Sequence, residues 1–230
     1  MRLALIGYGA MGQLVAQQSK AANDEIGETF TSKQAVMSVD EMANRLNRHD
    51  VAVDFSNSSA VVRNVEACAR AGVPLVEGTT GWNDLETEVR ALIKQHDGAL
   101  VYGANFSVGV NVFYRIVERA SDLFASLDQY QAFIEEQHHS RKKDAPSGTA
   151  VKIKDLMEKH GKAPLSIAST RAGEIPGTHR VGFDSGADQI TLTHTARSRE
   201  GFAAGALLAA RWIKGRKGVY EFRDVIDEIL

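Results

Sequence analysis

Cysteine is almost absent, and the chain lacks both an excess of one charge and any long hydrophobic run. The single cysteine in 230 residues, Cys68, cannot form an internal disulfide, and its place in an apolar helical pattern marks a buried small residue rather than a nucleophile. No Cys or His cluster has the local spacing of metal ligands, so no metal site is expected. With 27 basic against 29 acidic residues, the net charge of −2 leaves no electrostatic footprint for nucleic acid or an anionic membrane. The longest apolar run, Phe202 to Ala210, is too short to cross a bilayer. No targeting segment, internal repeat or low-complexity linker is visible, and a cytoplasmic globular protein of one large or two smaller domains is expected. A G-x-S-x-G nucleophile elbow is also missing, so any redox chemistry falls to a bound dinucleotide.

What is present begins at the N-terminus. Arg2 to Ile6 is a short apolar run, followed by Gly7-Tyr8-Gly9-Ala10-Met11-Gly12 and then Leu14, Val15 and Gln18 at helical spacing. This is G-x-G-x-x-G in the strand-turn-helix context that binds a dinucleotide. Gly7 permits the tight turn, Gly9 lets backbone approach a pyrophosphate, and Gly12 lets helix and strand pack closely. The acidic residue that usually follows at the end of the second strand is missing; Thr29-Phe30-Thr31-Ser32-Lys33 stands there. Two hydroxyls and Lys33 suit the 2′-phosphate of NADP better than a bare ribose, giving an expected bias toward NADPH over NADH, with Glu28 as an alternative acidic partner.

Strands and helices then alternate. Ser38 to Glu41 has capping-box spacing; Val51 to Phe55, Val73 to Glu77 and Ala99 to Tyr102 read as strands separated by helical patterns. The alternation predicts right-handed crossovers and a parallel sheet, with ligand loops at the carboxyl ends of its strands. Gly78-Thr79-Thr80 and Ala104-Asn105-Phe106-Ser107 are two such loops. Ser107 opens a long helix that joins two domains. Beyond it, Leu165 to Arg171, Thr178 to Phe183 and Gln189 to Ala196 read as a second, mostly antiparallel sheet, with the last two joined through Asp184 to Asp188.

The densest chemistry lies in Glu135 to Ala150, EEQHHSRKKDAPSGTA. His138 and His139 are placed at a strand end, and Ser147 is the N-cap of a helix closing at Gly161. The backbone N–H groups of Gly148, Thr149 and Ala150 lack intrahelical partners and, with Lys142 and His139, offer an anion site; His138 can move a proton near neutral pH. A basic turn before a capped helix is also an ordinary structural feature. His194 alternates with apolar strand residues and reads as a hydrogen-bonded sheet residue. His49, His96, His160 and His179 receive no chemical role.

The string HHSRKKDAPSGTA resembles the signature of the dihydrodipicolinate reductase (4-hydroxy-tetrahydrodipicolinate reductase) family of lysine and diaminopimelate biosynthesis. The G-T-T and A-N-F-S turns and the R-x-G-x-x-x-G-x-H pattern from Arg171 to His179 accompany it in the family's order. The resemblance implies an α/β fold: a Rossmann-like dinucleotide domain over 1–106 and 211–230, and an α+β substrate-binding and oligomerisation domain with a mixed or antiparallel sheet over 107–210. It implies NAD(P)H-dependent reduction of a dicarboxylate, with His138 as general acid and Lys142 as second proton donor or carboxylate clamp. His139, Ser147, Gly148 and Thr149 become carboxylate binders. Gly7 to Gly12, Lys33, Gly78, Thr79, Thr80, Ala104, Asn105 and Phe106 fall on the cofactor, and a homotetramer is expected. Another two-domain NAD(P)-dependent dehydrogenase and a non-catalytic dinucleotide sensor are the rival readings.

Overall fold

A computed structural model describes residues 1–34, 37–161 and 164–229. The chain forms two compact units, residues Met1–Val108 with Arg199–Leu230, and Gly109–Ser198. In the first unit, β1 (Arg2–Ile6), α1 (Ala10–Ala21), β2 (Glu25–Phe30), α2 (Val39–Leu46), β3 (Val51–Asp54) and α3 (Val61–Ala71) follow one another. Next come β4 (Leu75–Glu77), α4 (Glu86–Gln95) and β5 (Ala99–Tyr102). The second unit contains α5 (Val108–Phe124), β6 (Gln131–His138), α6 (Gly148–Glu158), β7 (Ile167–Arg171), β8 (Gly177–Asp184) and β9 (Gln189–Ala196). The first resumes with α7 (Glu200–Ile213), β10 (Gly218–Glu221) and α8 (Phe222–Ile229).

The six strands of the first unit are all parallel, in the order β10-β5-β4-β3-β1-β2. Continuous apolar strands need both faces of the sheet covered, and alternate residues go to opposite sides. Leu3 and Leu5 pack with Val15 of α1 and with Ala206, Ala210 and Ile226 of α7 and α8. Ala4 and Ile6 pack with Met42, Leu46 and Val65 of α2 and α3. The expected capping box is present: Glu41 N–H donates to Ser38 Oγ, and Ser38 N–H donates to Glu41 Oε2. Chain order reverses beside β1, which makes β2, β1 and β3 the switch point where α/β sheets bind ligands.

One expected boundary moves. The return to the first unit begins at Arg199 rather than 211, so α7 belongs with the parallel sheet. Ala203, Ala206, Ala209 and Ala210 are fully buried in that unit's core, and a Cβ on Gly205 would lie 1.7 Å from the Phe106 carbonyl oxygen. That close approach welds the helix to the turn after β5.

The sheet of the second unit has the order β7-β6-β8-β9. It is mixed: β8 runs antiparallel to β6 and β9, but β7 is parallel to β6 because α6 carries the chain back as a crossover. Phe113 and Val117 of α5 and Ile153 and Met157 of α6 cover one face of the sheet around Ile134, Val181 and Phe183. No helix among the described residues is long and apolar enough to cross a membrane.

Candidate active site

At the switch point of the first unit the glycines behave as their spacing predicts. Gly7 has φ +87°, and a Cβ there would meet the Phe55 carbonyl oxygen at 2.5 Å; one on Gly12 would meet the Gly7 carbonyl oxygen at 2.2 Å. Around Gly9 there is nothing within 4 Å, so backbone is open to an incoming group. Gly9 caps α1 without a side-chain hydrogen bond, and no acidic residue stands in the helix's first turn. The helix end is therefore available to a pyrophosphate. A cleft of about 720 Å³ opens here, walled by Gly7, Tyr8, Gly9, Thr31, Ser32, Phe55, Ser56, Arg63 and Asn64. Lys33 is exposed on the next turn and is not part of this wall; Arg63, from α3, is its cationic residue. Glu28 is engaged by Arg45.

Phe55, which the sequence reading passed over, keys the surrounding turns together. Its ring would lie 2.1 Å from a Cβ on Gly78, and it meets the ring of Phe106 edge-on at 6.3 Å. Phe106 also packs against Phe222 at 4.7 Å and is 1% exposed, so it is a core residue that braces the turn rather than a surface open to a ligand. Thr80 and Ala104 are exposed, while the Asn105 carbonyl oxygen Oδ1 accepts from Ser107 N–H.

In the second unit, β6 ends on His138 and the turn to α6 begins. Ser147 is the N-cap, as expected, accepting from Ala150 N–H at 3.3 Å. Gly148 is exposed with open space around it, and the first N–H groups of α6 have no intrahelical partner. The Lys142 ammonium is held by Asp144 at 2.9 Å. His139 is half-buried, with its Nδ1 enclosed and unbonded. Helix α6 ends at Glu158, and Gly161 follows with φ +94°.

Three residues that the sequence reading left out complete this site. Glu136, 1% exposed, takes His138 Nδ1 on one carboxylate oxygen and Arg171 Nη2 at 2.7 Å on the other. Arg171 also donates to the Asp144 carbonyl oxygen at 2.5 Å. His179, 5% exposed, shares a 3.0 Å hydrogen bond with Ser147 Oγ and meets the His138 ring edge-on at 5.3 Å. Sheet register brings them together: β6 is central, with Arg171 of β7 opposite His138 and His179 of β8 opposite Glu136.

Electrostatics sort these groups. Burial raises the Glu136 carboxyl, but hydrogen bonds from Arg171, Ser169 and His138 outweigh it and hold Glu136 below the usual carboxylate range. Burial lowers His138, against the raising pull of Glu136; Lys142 and Arg171 lower it further. Burial and then the neighbouring His138 push His179 down to about 4. Ligand atoms of Glu136, His138 and His179 lie within 4.8 Å of one another, a metal-like grouping that linear spacing did not reveal. Arg171 and Lys142 beside it make the surroundings cationic and favour an anion. His194 lies against Phe113 at 5.8 Å with Nδ1 unbonded, so it is a packing residue rather than the hydrogen-bonded one expected.

Two family models match the chain: "Dihydrodipicolinate reductase, N-terminus" over residues 1–106, and "Dihydrodipicolinate reductase, C-terminus" over 109–226. The chain belongs to the dihydrodipicolinate reductase family. It is 37% identical to the 4-hydroxy-tetrahydrodipicolinate reductase of Christiangramia forsetii, covering 100% of this chain and 99% of that one. It is 32% identical to the enzyme of that name from Archaeoglobus fulgidus, covering 99% and 100%. Among solved structures, dipicolinate-bound dihydrodipicolinate reductase from Paenisporosarcina sp. TG-14 shares the fold. That likeness has a TM-score of 0.80 at 19% identity, over 98% of this chain and 99% of that one. The family's chemistry makes the chain an NAD(P)H-dependent oxidoreductase, and the open Gly9 backbone and uncapped α1 fit that dinucleotide.

Proposed function

We propose that the chain reduces 4-hydroxy-tetrahydrodipicolinate to tetrahydrodipicolinate in lysine and diaminopimelate biosynthesis, the 4-hydroxyl leaving as water and the dehydrated form taking the hydride, with His138 as the proton donor. The observation that carries this reading is the buried Glu136–His138 pair beside Lys142 and the capped start of α6, one loop offering a proton and an anion cradle together. When bound, NAD(P)H supplies the hydride. The rest falls to the chain's own groups. Glu136 fixes His138 with Nδ1–H toward the carboxylate, which leaves Nε2 to hand over the proton. Lys142 clamps a substrate carboxylate or gives a second proton, and must leave Asp144 to do so. His139, Ser147, Gly148 and Thr149 receive a carboxylate at the helix N-terminus, where backbone N–H groups and the helix dipole favour negative charge. His179 holds Ser147 from behind.

The lowered His138 is neutral in the free protein at pH 7, and two substrate carboxylates raise it toward the charged form on binding. Substrate thereby charges its own acid. On the cofactor side, Gly7, Tyr8, Gly9, Ala10, Met11 and Gly12 would hold the pyrophosphate, and Gly78 to Thr80 with Ala104 and Asn105 the nicotinamide end, with Phe106 bracing that turn from the core. A bias toward NADPH rests on Lys33 and on Arg63 in the cleft wall. We place the enzyme in the cytoplasm as a homotetramer, assembled through the second unit.

The test couples the purified protein to a synthase that makes the labile substrate from pyruvate and aspartate semialdehyde, then follows absorbance loss with NADPH and NADH separately. Synthase-dependent consumption is expected, faster with NADPH. No consumption by a protein that binds the cofactor sinks the assignment, and unchanged NADPH kinetics in Lys33→Ala removes that residue from the cofactor.

A further inference from the structure

Two acids sit side by side in the core of the first unit, and the reaction makes no use of either. Asp54 and Glu77 are register partners at the carboxyl ends of β3 and β4, and both are 0% exposed. Each holds the turn that follows its own strand. Asp54 Oδ1 accepts from Ser56 N–H at 2.7 Å and Oδ2 from Asn64 Nδ2 at 2.7 Å, with Thr79 Oγ1 at 3.4 Å. Glu77 Oε1 accepts from Thr79 N–H at 2.7 Å. Ser56 N–H is in turn 3.1 Å from Thr79 Oγ1, which ties the two turns to each other.

The fourth carboxylate oxygen, Glu77 Oε2, is enclosed and meets no N–H or O–H donor. Beside it stands the carboxyl of its register partner, Asp54, equally closed off from solvent. An acceptor facing an acceptor in a closed core is costly on two counts, the missing hydrogen bond and the like charge. A proton on one of them removes both. The groups holding Asp54 are all donors, so Asp54 is the better carboxylate and Glu77 the better acid.

We propose that Asp54 and Glu77 share one proton, Glu77 donating to Asp54, and that this bonded pair positions the Ser56 and Thr79 turns for the dinucleotide. Burial, and then the Asp54 charge, raise the Glu77 carboxyl well above its usual range, in keeping with the geometry. The surroundings carry little else that titrates. Cys68 of α3 faces both acids and is itself pushed up by burial and by their charges, so it stays a thiol. Arg63 donates from Nη2 to Asn64 Oδ1 at 3.0 Å, and Asn64 in turn donates to Asp54. Because Ser56, Arg63 and Asn64 also line the cleft, a shift in the pair reaches the cofactor wall directly.

This inference rests on the dinucleotide reading of the first unit, and the experiment separates the two. NADPH and NADH are titrated onto wild type, Glu77→Gln and Glu77→Leu from pH 6 to 9.5, with kinetics and a thermal melt for each. The Gln amide donates to Asp54 as the acid does, so its cofactor Kd is expected within about twofold of wild type. Leu cannot donate or hold Thr79 N–H; its cofactor Kd and KM are expected to rise about tenfold, with substrate KM near wild type. In wild type, cofactor affinity falls at high pH as the shared proton leaves, and Glu77→Gln lacks that limb. A Leu variant that binds cofactor as tightly as wild type, or a Gln variant as impaired as Leu, overturns the pair. Wild type that binds neither dinucleotide overturns the cofactor reading together with it. Should Leu fail to fold, the high-pH limb of wild type against Gln decides alone.

Discussion

Glu77 and Glu136 are chemically the same group in nearly the same setting. Both lie at or near the carboxyl end of a sheet strand, both are closed off from solvent at 0% and 1% exposure, and both sit beside a second titratable group. They titrate in opposite directions. Glu77 has an acid for a neighbour and is raised well above its usual range; Glu136 has Arg171 on one oxygen and His138 on the other and is lowered. Burial alone therefore does not decide the state of a buried carboxyl. The groups around it do: Arg171, Ser169 and His138 all donate to Glu136 and keep it a carboxylate, whereas Glu77 faces another acid.

The contrast is broken most severely at the proton itself. His138→Gln is expected to lower kcat by about 10²- to 10⁴-fold, the usual worth of a general acid, with cofactor Kd unchanged. A kcat near wild type would remove His138 from the acid role. Next comes its support: Glu136→Gln keeps the shape of the side chain but not the charge, and a kcat loss of about 10²-fold is expected. The pH profile carries the sharper reading. His138 starts below the 6.5 of an ordinary histidine, so kcat/KM should fall as pH rises through a midpoint under that value. Without the Glu136 charge the imidazolium is held less well and the midpoint moves lower still. A midpoint that stays put would mean that Glu136 only packs.

Arg171→Leu tests the comparison from the cationic side. It strands Glu136 in the core without its counter-charge, which costs about 3 kcal/mol of stability, read from a urea melt. The double variant Arg171→Leu with Glu136→Leu should recover most of that loss, because apolar packing replaces a buried pair at little cost. Glu77→Leu, by contrast, loses the hydrogen bond to Thr79 N–H and should cost about 1 kcal/mol. If Arg171→Leu cost no more than that, the guanidinium would not be part of what separates the two acids.

The two halves also differ in how far the sequence discloses them. The Gly7 to Gly12 turn, the Ser38 capping box and the Ser147 cap are contiguous, each with its partner within a few residues, and all three stand where their spacing puts them. The placement of His138 at the end of β6 and of Ser147 at the start of α6 was legible for the same reason. Glu136 was missed although strand alternation puts it on the face of His138, because a glutamate in a strand reads as solvated until its buried cation is known. That cation is 35 residues away, and only the β6–β7 register brings it back. His179 depends likewise on pairing with β8. Phe55 looked like the end of a strand and proved to be the post on which the turns after β4 and β5 lean. The domain boundary failed because α7 is apolar on nearly every side, and periodicity cannot say which core such a helix enters.

The last effect expected is thermodynamic and pH-dependent, and it separates the two regions by sign. His179 is neutral in the fold down to about pH 4, whereas in the unfolded chain it titrates near 6.5. Above both values it contributes nothing to the pH dependence. As pH falls through 6.5 the unfolded chain takes up a proton that the native state refuses, and stability drops by up to about 3 kcal/mol by pH 4. Glu77 acts the other way: its raised carboxyl binds a proton in the fold before it does in the unfolded chain, so falling pH favours the native state until the unfolded carboxyl is protonated too. Urea melts from pH 7 to pH 4 on wild type, His179→Gln and Glu77→Gln resolve the pair. His179→Gln should flatten the acid-side loss, and Glu77→Gln should steepen it. Parallel profiles in all three proteins would place the acid sensitivity elsewhere and dissolve the opposition between the two cores.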